Sequence, residues 1–64
     1  MKISQHYDVR MMRKREIIGV EVIAPNRPSI ERNESNILRA VYGEQLFDAA
    51  ILTIRKINFS VLVL

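Results

Sequence analysis

Cysteine is absent from this chain, so neither disulfides nor most structural zinc sites are open to it as a means of holding 64 residues together. Tryptophan is absent too. The two glycines, Gly19 and Gly43, stand too far apart to build a phosphate-cradling loop. No apolar run exceeds four residues, as in 61–64. That is far short of the roughly 20 residues that cross a bilayer as a helix, and no membrane association is expected. Residues 1–10 carry no apolar block of the length of a secretory signal, about 7–15 residues, so a cytoplasmic setting is expected. The lack of cysteine agrees with a reducing compartment.

What the chain does have is apolar content. Hydrophobic residues make up 48% and the mean hydropathy is +0.01, which takes it out of the disordered class. Residues 1–64 are expected to form a single small domain. A domain of that size hides only about 60% of the surface its unfolded chain exposes. With no disulfide available, self-association is the remaining source of stability, and a homo-oligomer is expected. Charge is uneven along the chain. Lys2, Arg10, Arg13, Lys14 and Arg15 against Asp8 give residues 1–15 a net +4, residues 16–48 carry −3, and Arg55 with Lys56 adds +2. Such a dipole steers an acidic partner to one end or lets two copies meet head to tail.

Residues 2–11 alternate without a break. Ile3, Gln5, Tyr7, Val9 and Met11 fall on one side and Lys2, Ser4, His6, Asp8 and Arg10 on the other, which predicts a half-buried strand. In 17–23, Ile18, Val20 and Val22 share one face while Ile17 and Ile23 flank Gly19 and Glu21 on the other. β-branched residues favour a second strand there over a helix. No Asn-Gly or Asp-Gly lies between the two, so a loose charged turn of four or five residues is expected rather than a two-residue hairpin.

Pro25-Asn26-Arg27-Pro28 ends the strand, since proline lacks the donor that a ladder needs. Ser29 and Asn33 are both candidate N-caps, with Glu31 and Glu34 placed where a helix dipole favours acids. Ile37, Leu38 and Val41 follow at helical spacing, and Gly43 marks either a kink or a stop. Residues 29–56 therefore read as one kinked helix, two helices, or a helix followed by a strand. In 44–56, Leu46, Phe47, Ala50, Ile51 and Ile54 line one helical stripe, and helix is preferred over a strand reading of 49–54. Residues 59–64, apolar on both faces, read as a covered strand that joins the hairpin or a second copy.

The expected fold is α+β: a small antiparallel sheet, made of the N-terminal β-hairpin and a C-terminal strand, with one kinked or two short helices on one face. The candidate binding residues are Arg10, Arg13, Lys14 and Arg15, a basic knot at the hairpin tip. Guanidinium forks there can pair with phosphate oxygens, although a charged run is also what any solvated turn carries. Met12 breaks the alternation and is the candidate interface residue, together with Val61 and Val63 of the apolar terminus.

His6, the sole histidine, shares a face with Asp8, which suggests a surface ion pair. A catalytic triad or metal site needs more groups than this face holds, so no catalytic residue, metal or cofactor is expected. Glu31 and Glu34 are explained by the helix start, and Asp48 by exposure. The function expected is non-catalytic binding to nucleic acid through the basic tip in a regulatory role. The alternative is an interaction module or inhibitor gripping an acidic protein surface.

Overall fold

A computed structural model describes residues 4–57. Five elements follow one another: β1 (Gln5–Arg13), β2 (Glu16–Ala24), α1 (Arg27–Arg32), α2 (Glu34–Tyr42) and β3 (Ala50–Lys56). The strands form an antiparallel sheet in the order β2-β1-β3, so β1 is the middle strand. The α+β class and the N-terminal hairpin are as expected. The third strand is not the one expected, because 50–56 supplies it, while 59–64 lies outside the described residues.

Alternation along β1 sets the core. Tyr7, Val9 and Met11 are buried, Val9 and Met11 completely so, and Ile18, Val20 and Val22 face the same way from β2. Ile54 of β3 lies beside Val9 on this face, and Ile30 of α1 and Leu38 of α2 close over it, with Ile37, Val41, Leu46 and Ile51 packed around them. Each such aliphatic side chain removed from water contributes about 1.5–3 kcal/mol. The helices lie on one face of the sheet, α1 against β2 and α2 against β3.

The helix ends are set locally. Asn26, extended at φ −163° and ψ 169°, accepts the Ser29 N–H on its Oδ1 at 2.9 Å, so it caps α1 in place of Ser29. Pro28 sits in the first turn, where its missing N–H would have had no helical partner. Asn33 joins the two helices. It occupies the N-cap position of α2, but its side chain donates back to the Ser29 carbonyl at 2.8 Å, closing α1 instead of opening α2. Gly43 is a stop, not a kink. Its N–H donates to the Arg39 carbonyl at 2.8 Å, and its φ of 72° with ψ of −147° is a region that only glycine enters freely.

The helix expected over 44–56 does not form. After Gly43 the chain turns through Asp48, whose φ is 61°, and enters β3. A register shift in the β1–β3 pairing explains the misreading: Arg10 faces Thr53 but Met11 faces Ile51, so Leu52 is an extra residue in a bulge. The bulge reverses the alternation and brings Ile51 and Ile54, three residues apart, to the same face. In a sequence that spacing is indistinguishable from one face of a helix. Leu52 is left 46% exposed and Phe47, expected on the apolar stripe, is 82% exposed.

Two outcomes follow for stability. Gly43→Ala should cost about 1–3 kcal/mol, with no steric contribution because nothing lies within 4 Å of an added Cβ; urea denaturation at unchanged m-value would measure it. Ile51→Ala should cost more than Leu52→Ala, by about 1 kcal/mol, and equal losses would mean that the bulge is misplaced.

Candidate functional site

The hairpin turn is tighter than the sequence indicates. Arg13 pairs with Glu16, leaving only Lys14 and Arg15 between the strands. Lys14 takes the positive φ, 59°, that glycine or asparagine more often supplies in a two-residue turn. Two nine-residue strands in continuous register hold it there despite that local preference.

So short a turn makes strand alternation run up to the apex, and alternation sorts the four cations onto different surfaces. Arg13 shares the inward parity of Met11. It is half-buried, with its guanidinium carbon 5.3 Å from the centre of the Tyr42 ring, a cation–π arrangement with α2. Arg10 has the opposite parity and lies on the outer face, its Nε 3.5 Å from Asp8 Oδ2. Lys14 and Arg15 are exposed at the apex itself, next to exposed Glu16. The four residues are therefore spread over two faces and a tip instead of forming one basic patch.

Among the described residues no helix covers the outer face, and register fixes its rows. Met12 lies between Ile17 and Ala50, Arg10 between Gly19 and Thr53, Asp8 between Glu21 and Arg55, and His6 opposite Ile23. His6 Nδ1 contacts Glu21 Oε2 rather than the Asp8 expected beside it. Asp8 is engaged by Arg10, and Glu21 reaches His6 diagonally across the strands, a contact that sequence spacing could not reveal. Met12 is half-buried behind the apex. Val61 and Val63 lie outside the described residues.

Glu31 pairs with Arg27 at 3.4 Å one helical turn away, and Glu34 opens α2. Both border a cleft of about 200 Å³ between α1 and β3, which also takes in Thr53 and Leu52. That volume is small against the 300–1,000 Å³ or so of typical ligand sites. Asp48 is exposed in its turn. Among the described residues no group of three or more His, Cys, Asp or Glu is placed to hold a metal, and no helix is long and apolar enough to cross a membrane.

Sequence reasoning underrated the exposed apolar residues: Ile17 is 61% exposed, Ile23 60% and Phe47 82%. The signal for the first two was a β-branched residue at each end of an otherwise polar strand face. Comparison with family models, with curated proteins and with solved structures gives no match for this chain.

Tyr42, which carries the Arg13 contact, has its hydroxyl buried without a hydrogen-bond partner. An unsatisfied buried hydroxyl costs about 1–3 kcal/mol of lost hydration. Tyr42→Phe keeps the ring and should raise stability by up to about 1 kcal/mol, whereas Tyr42→Leu, which removes the ring face, should lower it. A thermal melt of the two variants gives the sign.

Proposed function

We propose that this chain is a non-catalytic binding module that engages the acidic surface of another protein through its hairpin end. The carrying observation is the juxtaposition at that end. Lys14 and Arg15 stand exposed at the apex, and immediately behind them Met12 lies directly opposite exposed Ile17 on the outer face. Apical charge speeds encounter with an acidic partner, while an adaptable methionine beside a bare isoleucine offers apolar area to anchor it.

Nucleic-acid contact in a regulatory role is the second reading, and the same Lys14 and Arg15 favour it. It stands second because of the other two cations. Arg10 is beside Asp8 and Arg13 lies over Tyr42, so a row of phosphates would meet two free charges instead of four.

Salt separates the readings. Phosphate contact makes log affinity fall linearly with log salt, by a slope of about 0.9 for each phosphate neutralised on B-DNA. An interface anchored by apolar area responds much less. Capture of partners from an extract by wild-type chain, Met12→Glu and Lys14→Ala/Arg15→Ala should yield a protein that survives nuclease treatment and moderate salt and is lost with either variant. A nuclease-sensitive, salt-steep interaction lost only with Lys14→Ala/Arg15→Ala moves the assignment to nucleic acid. Capture unaffected by both variants rejects the hairpin end altogether.

A further inference from the structure

Among the described strands, the order β2-β1-β3 places β2 at the margin of the sheet, nine residues long and without a register shift against β1. Its backbone polarity follows from the turn. A two-residue turn makes Arg13 and Glu16 a hydrogen-bonded pair, and bonded and non-bonded pairs then alternate. Met11–Ile18, Val9–Val20 and Tyr7–Val22 are bonded in turn. Ile17, Gly19, Glu21 and Ile23 consequently aim their N–H and C=O groups away from β1, toward the margin. These four positions are symmetric about Val20.

We propose that β2 pairs antiparallel with β2 of a second copy, about a two-fold axis through Val20, joining two three-stranded sheets into one. The residue pattern of β2 is self-complementary about that point. Ile17 faces Ile23 of the second copy, Ile18 faces Val22, Gly19 faces Glu21, and Glu16 faces Ala24. The pairing covers the two exposed large hydrophobic side chains of the strand, 61% and 60% exposed, with each other. It also extends the core along half-buried Ile18, Val20 and Val22.

Charge is compatible with the same register. Each glutamate faces glycine or alanine, so no like charges are directly opposed. The nearest like pair, Glu21 and its own copy, is diagonal across the axis, and each Glu21 is already in contact with His6. An isologous contact of this kind is the commonest form of homodimer. Strands meant to stay unpaired usually carry charged side chains, lysine above all, a proline or a bulge. β2 has no lysine, proline or bulge, its one mid-strand charge, Glu21, is in contact with His6 of its own chain, and Pro25 lies just beyond its last residue, where pairing would end. The contact uses the margin of β2 rather than Lys14 and Arg15 of the apex; it shares Ile17 with the surface proposed above, and its test reads the mass of the chain alone instead of partner capture.

Light scattering or sedimentation equilibrium of the full chain, from micromolar up to about 0.5 mM, should show the mass rising from 7.5 kDa toward twice that value. Glu21→Pro deletes an outward N–H without touching the β1 ladder and should leave a monomer with an unchanged circular dichroism spectrum. A second test does not depend on that variant folding. Ile17→Lys/Ile23→Lys and Ile17→Glu/Ile23→Glu chains should each be monomeric alone and associate with each other on mixing, because position 17 faces position 23 across the axis. A wild-type chain that stays at 7.5 kDa overturns the proposal, as does a wild-type dimer whose charge variants neither dissociate alone nor prefer each other when mixed.

Discussion

β1 is the constraint on which the rest of the structure depends. It is the middle strand, so its backbone is bonded on both sides, and its odd-numbered side chains Tyr7, Val9 and Met11 are among the deepest buried in the molecule. A strand held on both edges cannot slip by one residue, because a slip would send Tyr7, Val9 and Met11 to the outer face and Asp8 and Arg10 into the core. β2 and β3 are each read against that fixed strand, and the helices cover the one face that its alternation makes apolar.

The same constraint explains why the basic segment does not act as a block. In sequence, Arg10, Arg13, Lys14 and Arg15 lie within six positions of one another. On a strand, neighbours in sequence point to opposite faces, so proximity along the chain does not become proximity in space. Arg13 is drawn onto the Tyr42 ring on the helix side, Arg10 lies beside Asp8 on the bare side, and only the two turn residues project beyond the strands. Charge density at the tip is thus lower than composition suggests. The outer face behind it becomes more informative, because it combines Met12, Ile17 and Ile23 with the ion pair Asp8–Arg10 and the His6–Glu21 contact.

Legibility in the sequence varied by element, for identifiable reasons. The hairpin strands were readable because one face is buried and one is wet, which forces a period of two on the residue types. The short helix run to Val41 was readable from its spacing, and Gly43 signalled its end, although only its backbone angles distinguish a stop from a kink. β3 was misread because its bulge inserts one residue and converts a two-residue repeat into a three-residue one. The turn was misread because Lys14 adopts a backbone angle that its own chemistry does not favour. In both cases a long-range pairing overrode the local preference, and single-sequence patterns contain no record of the partner strand.

By itself, the sequence determined the α+β class, the hairpin, the inward set Tyr7, Val9 and Met11, and the break at residues 25–28. All four follow from interactions between residues near one another in the chain, or from the sorting of apolar from polar side chains. Tertiary structure alone decided that residues 50–56 are a strand, that His6 meets Glu21, that Arg13 turns to Tyr42, and that Ile17 and Ile23 remain bare. Each of these depends on which strand lies alongside which, and in what register. The folded chain settles that by finding the one pairing that buries β1's apolar face and satisfies both of its backbone edges.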